Sequence, residues 1–80
     1  MKVLLIDDHP LILSALQSVI IGLGDDVTVV GAATAKIARE TLKRDTDFDL
    51  ILLDLNLGDT DGFDVLAEFR ATYPSLPVVV

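Results

Sequence analysis

The residues of this chain best suited to chemistry are its aspartates. Asp7 and Asp8 stand together directly after the apolar run Val3 to Ile6, and Asp54 stands directly after the run Leu50 to Leu53. Eleven of the thirteen acidic residues are Asp and only two are Glu, a bias toward the short carboxylate favoured at caps, turns and metal sites. In open parallel sheets ligands bind beyond the carboxyl ends of the strands, where strand order reverses. If the two runs are neighbouring strands, Asp7, Asp8 and Asp54 converge there, and like charges so close repel strongly. A hard divalent cation relieves that repulsion, and Mg²⁺ takes one or two carboxylates together with waters and a phosphate oxygen. A carboxylate beside such a cation can act as a nucleophile toward phosphorus, forming an aspartyl phosphate, and Asp54 is the candidate. Taken alone, Asp7 and Asp8 would equally suit the positive end of the following helix; Asp54 in register with them favours an acidic site.

The elements that must position these acids follow from hydropathy patterning. Val3 to Ile6 is a short apolar run without alternation, as expected of a strand buried on both faces. Pro10 opens a helix in which Leu11, Ala15, Leu16, Val19 and Ile20 recur at helical spacing, and Gly22 and Gly24 end it. Val27 to Ala32 reads as a second strand, and residues 35 to 44 as a second helix with Ile37, Ala38, Thr41 and Leu42 on one face. Leu50 to Leu53 is the third strand, and 55 to 60 form a loop. A third helix runs from Asp61 to Thr72 with Phe63, Leu66, Ala67 and Phe69 or Arg70 about its inner edge, and Tyr73-Pro74 closes it. Pro77 to Val80 is a fourth strand. Strands alternating with helices of this length predict an α/β, doubly wound parallel sheet with right-handed crossovers and helices on both faces.

Composition narrows the function classes. Eighty residues hold one compact unit, and 51% apolar with 24% charged residues belongs to a globular chain. A net charge of -7 opposes binding to nucleic acid or anionic lipid. Without cysteine there is no disulfide, thiolate nucleophile or Cys-based zinc site, and a single His supplies no zinc cluster. The N-terminus matches neither a signal peptide nor a membrane span, and a cytoplasmic location is expected. The final Val78-Val79-Val80 leaves an apolar strand with no following helix, an edge that invites self-association with a second copy.

Asp7-Asp8-His9-Pro10 after one strand, Leu53-Asp54 ending another, and Leu55-Asn56-Leu57 followed by Asp61-Gly62 together resemble the receiver domain of two-component response regulators. The resemblance covers essentially all 80 residues, and the Asp7-Asp8-His9-Pro10 form looks most like regulators of the NarL/FixJ/LuxR type. It implies a CheY-like, flavodoxin-like three-layer α/β/α fold, incomplete after the fourth strand, with residues 1–80 forming the N-terminal part of the receiver. It implies further that Asp54 is the phosphoacceptor, that Asp8 binds Mg²⁺ directly and Asp7 largely through water, and that the backbone carbonyl of Asn56 completes the protein ligands. The donor would be a phosphohistidine on a sensor histidine kinase or a small acyl phosphate. The output would be regulation of transcription through a DNA-binding domain. A receiver of this kind is a signalling domain, not an enzyme. The loop departs from the family's pattern, with Gly58-Asp59-Thr60 where Pro-Gly-Met is usual. Asp59 would add charge near the phosphate path. The family's switch hydroxyl and phosphate-binding lysine fall after the fourth and fifth strands, beyond residue 80, so impaired switching is expected of these 80 residues alone.

Other assignments are weaker. Asn56 also suits a turn, a role compatible with donating its carbonyl. His9 is expected to serve the helix start, Gly62 the loop backbone before the third helix, and Asp45, Asp47 and Asp49 a solvated turn. Asp54, Asn56, Gly58 and Thr60 alternate as in a calcium loop, but the twelfth position is Val65 where a Glu is needed and the sixth is Asp59 in place of Gly. Asp59-Thr60-Asp61-Gly62 is similar to the nucleophile motif of haloacid-dehalogenase-type phosphatases, yet Asn56-Leu57-Gly58 is a poor strand end to precede it. The serious alternative is a receiver-like interaction module that never uses phosphate.

Overall fold

The computed structural model describes residues 1–58 and 60–80. Expectations attached to Asp59 lie outside the described residues. The elements follow in the order β1 (Lys2–Ile6), α1 (Pro10–Ile21), β2 (Thr28–Ala32), α2 (Ala35–Arg44), β3 (Leu50–Leu53), α3 (Gly62–Thr72) and β4 (Val78–Val79). All strands are parallel, in the order β2-β1-β3-β4, so strand order reverses between β1 and β3. That reversal is the crevice at which doubly wound sheets place their ligands.

β1 is central, and from Val3 to Ile6 it is buried on both faces, which explains its lack of alternation. Leu4 and Ile6 face the main core with Ile51 and Leu53 of β3, Ala35, Ala38 and Leu42 of α2, and Val65 and Phe69 of α3. α1 lies on the other face of the sheet, against β2 and β1.

The helical faces match those read in the sequence only in part: Ala38, Leu42 and Phe69 are buried and Leu66 packs against the core, as expected. In α2 Ile37 points outward, and the turn Ala35, Ala38, Leu42 is buried. In α3 Phe63 is 64% exposed while Gly62, Val65 and Phe69 face inward. Gly62 sets that rotation: a Cβ there would stand 2.3 Å from Leu55 Cα and from Leu55 O, so only glycine lets the first turn sit on the β3–α3 loop. In α1 no residue is fully buried; Leu13, Gln17 and Ile20 are half-buried, while Leu11, Leu16 and Val19 are exposed. Its polar residues Ser14, Gln17 and Ser18 lie at i, i+3 and i+4, yet Gln17 is half-buried against the sheet, so hydropathy does not set the buried face here. The face is chosen by Gly31 of β2, whose missing side chain leaves room for Leu13 and Gln17.

The helix starts at Pro10 and Asp61 are those read in the sequence, and Thr34 adds a cap that the hydropathy patterning does not mark. Pro10 begins α1, Thr34 Oγ1 accepts the Ile37 N–H at 3.1 Å to start α2, and Asp61 Oδ1 accepts the Phe63 N–H at 2.9 Å to start α3. The Asp45–Asp49 segment does more than form a solvated turn. Asp49 Oδ2 accepts the Lys2 N–H at 2.7 Å, Asp45 pairs with Lys2 Nζ, and the Lys2 ammonium sits 4.7 Å from the Phe48 ring centroid. These contacts tie the start of β1 to the start of β3 at the pole opposite the acidic site.

Candidate functional site

The register of β1 and β3 builds the site. Val3, Leu4, Leu5 and Ile6 lie opposite Leu50, Ile51, Leu52 and Leu53, so the next residues, Asp7 and Asp54, leave the sheet side by side. Each is still held by the ladder: Asp54 N–H donates to Ile6 O at 2.9 Å, and Asp7 N–H to Ala32 O of β2 at 3.1 Å. Asp7, Asp8, His9 and Asp54 can each offer one ligand atom such that all four lie within 4.8 Å of one another. The three predicted carboxylates therefore meet.

Backbone N–H groups hold the carboxylates in place. Asp7, 6% exposed, accepts the His9 N–H at 2.9 Å. Asp8 Oδ2 accepts the Gly58 N–H at 2.8 Å, anchoring the β3–α3 loop across the site. Asp54 Oδ1 accepts the Asn56 N–H at 3.0 Å, a turn closed by its own side chain. Leu57 then tucks into the core, 5% exposed, and fixes the loop from below. Asn56 is exposed at the mouth and lines, with Asp7, His9 and Asp54, a cavity of about 380 Å³ that continues over Ile12, Leu16, Leu52 and Val79.

His9 has a larger part than a helix start. Its side chain makes no capping bond. Nδ1 instead lies 2.9 Å from Asp7 Oδ1, 3.0 Å from Asp8 Oδ1 and 3.6 Å from Asp54 Oδ2. The hydrogen bond to Asp7, followed by the negative charge of Asp8, raises the imidazole pKa above its ordinary value. Adjacency to Asp7-Asp8 was the one available signal for this role, and it did not distinguish a ring turned toward the acids from one turned to solvent.

The donor set suits a hard cation. Asp8 Oδ1 is buried beside two further carboxylates, accepts no hydrogen bond among the described residues and has only the His9 ring, at 3.0 Å, facing it, and such a convergence of carboxylates calls for a positive partner.

The response regulator receiver domain family matches residues 3–80. The chain belongs to that family. Among relatives of this receiver chain is the nitrate/nitrite response regulator protein NarL of Escherichia coli K12, 38% identical over 78 residues, which are 98% of this chain and 36% of that protein. A LuxR family DNA-binding response regulator from Silicibacter pomeroyi shares its fold with a TM-score of 0.84 and 33% identity, over 99% of this chain and 61% of the other. The MaeR response regulator bound to beryllium trifluoride superposes with a TM-score of 0.88 at 25% identity, over 99% of this chain and 64% of that one. The receiver chain thus spans about a third of NarL and under two thirds of these structures. Among the described residues no helix is long and apolar enough to cross a membrane.

Proposed function

We propose that this receiver accepts a phosphoryl group on Asp54, with Mg²⁺ held by Asp7, Asp8, Asp54 and the backbone carbonyl of Asn56. The observation that carries the reading is the meeting of Asp7, Asp8 and Asp54 at the β1–β3 reversal, with Asp8 Oδ1 buried and accepting no hydrogen bond among the described residues. When bound, the Mg²⁺ would neutralise charge on the incoming phosphoryl oxygens.

The chain's own residues perform the positioning. The Ile6 carbonyl and the Asn56 N–H orient Asp54 from either side. An Asp54 carboxylate oxygen forms a bond to phosphorus as the donor's P–N bond breaks, and the departing imidazole takes up a proton from solvent. A phosphohistidine of a sensor histidine kinase fits that step, as does a small acyl phosphate with a carboxylate leaving group. The beryllium trifluoride complex of MaeR supports the reading, because beryllium trifluoride takes the tetrahedral shape of a phosphoryl group once an oxygen donor completes its coordination. The product is a covalently modified signalling domain and not a turned-over substrate. It would act in the cytoplasm and set the output of a DNA-binding domain, as the DNA-binding relative suggests; with a net charge of -7 the receiver itself is no nucleic-acid binder. Residues 1–80 supply the N-terminal part of such a receiver, and their exposed β4 edge favours pairing with a second copy.

Intact mass after incubation with a small acyl phosphate tests the assignment. One phosphoryl adduct is expected, dependent on Mg²⁺ and lost in Asp54→Asn. An adduct that persists in Asp54→Asn refutes it.

A further inference from the structure

We infer that the His9 side chain is a displaceable internal competitor for the cation site, holding the carboxylates together in the metal-free chain and swinging to solvent when a divalent cation enters. The inference rests on the Mg²⁺ reading above and concerns a residue to which that reading gives no part. The carboxylate oxygens of Asp8 and Asp54 that the backbone leaves over are Asp8 Oδ1 and Asp54 Oδ2, since Gly58 and Asn56 engage the others. Those same oxygens face the ring, at 3.0 and 3.6 Å from Nδ1, while Asp7 Oδ1 lies at 2.9 Å. The ring nitrogen Nδ1 therefore stands where the three carboxylates converge, and a cation must claim the same oxygens.

His9 is free to leave. It occupies the cap position of α1 without a capping bond, and its side chain is 50% exposed, so rotation outward exposes no core. Nor does it fit as a ligand of the same ion: Mg²⁺ selects oxygen donors, whereas imidazole suits zinc, copper and nickel. Because the ring must give up its place beside these oxygens before the ion can bind, removing it should strengthen Mg²⁺ binding, by about threefold to fivefold for one half-exposed polar contact.

Calorimetric titration of the full chain with Mg²⁺, comparing wild type, His9→Ala, His9→Asn and Asp8→Asn, tests this. The Asn variant keeps a good cap residue and guards against a folding defect in the Ala variant. A lower Kd in both His9 variants is expected, together with wild-type His9 ring proton resonances that shift over the same Mg²⁺ range as the Gly58 and Asn56 amides. An unchanged or higher Kd in the His9 variants, with Asp8→Asn abolishing binding, overturns the inference and leaves the Mg²⁺ reading standing. Absence of binding in wild type and His9 variants alike overturns both.

Discussion

At the scale of single residues, stability and function separate cleanly around the acidic site. Asp8 contributes one backbone bond, to the exposed Gly58 N–H, which water can replace. Asp8→Ala is therefore expected to cost under about 1 kcal/mol in urea unfolding, while abolishing any Mg²⁺-induced shift of the Gly58 amide. Gly62 is the opposite case. It touches no ligand, but a Cβ at 2.3 Å from the Leu55 backbone cannot be accommodated without moving the loop that follows Asp54. Gly62→Ala should lose about 1–3 kcal/mol, with the Asn56 and Gly58 amide resonances shifted even before any cation is added. A wild-type urea midpoint for Gly62→Ala would refute the packing argument. The aspartates were legible in the sequence because short carboxylates at the ends of apolar runs are conspicuous. The role of His9 was not, because a ring can rotate either way from its backbone, and only the neighbouring Asp54, 45 positions along the chain, shows which way it turns.

At the scale of elements, patterning located each strand and helix within a residue or two and placed Ala38, Leu42, Leu66 and Phe69 correctly on the inner side, but it misjudged the rest of the helix faces. Ile37 and Phe63 are outside, Ala35 and Val65 inside. Large apolar residues were read as inward-facing, yet helix rotation here is decided by the small residues at which backbones come close: Ala35 and Ala38 in α2, Gly62 in α3, Gly31 beneath α1. Helix starts, being local, were readable at Pro10 and Asp61, whereas the Thr34 cap of α2, whose Oγ1 accepts the Ile37 N–H, emerged from the structure. Thr34→Ala is expected to cost about 1 kcal/mol, measurable as a lower urea midpoint with unchanged slope. A substitution at Gly31 should be tolerated better than at Gly62, since the atom a Cβ would meet first is the end of the Gln17 side chain, at 2.8 Å, and not backbone.

At the scale of the whole molecule, the two poles of the sheet carry different electrostatics. Opposite the acidic site, the hydrogen bond from Lys2, then that from the Asp47 N–H, lowers the Asp45 pKa. A carboxyl whose folded pKa is depressed adds stability above its unfolded value and loses it as pH falls through the folded one. The Tm difference between wild type and Asp45→Asn should therefore be present at pH 7 and close in acid, below the ordinary carboxylate range. A difference that stays constant to pH 2 would contradict the pairing.

The two faces of the sheet are also unequal. On the side of α1, Ile12, Leu16 and Val79 border an open apolar cavity, and Val79 at the β4 edge is 49% exposed. Val79→Lys, which sets a charge against the apolar wall shared by Ile12 and Leu16, is expected to lower the urea midpoint only slightly, because Val79 is half-exposed. A drop as large as that expected for Gly62→Ala would count against it.

What the sequence by itself determined was local: the order of strands and helices, the helix starts at Pro10 and Asp61, and an aspartate at the end of each central strand. These depend on side-chain type and on spacing within one turn or one strand, which a reader of the chain can see. What only the tertiary structure decided was adjacency. β1 and β3 are neighbours, so Asp7 and Asp54 share one ladder. His9 turns toward them, and α1 rests on Gly31. Contacts between residues distant along the chain are set by how the elements pack together, and no periodicity within an element encodes them.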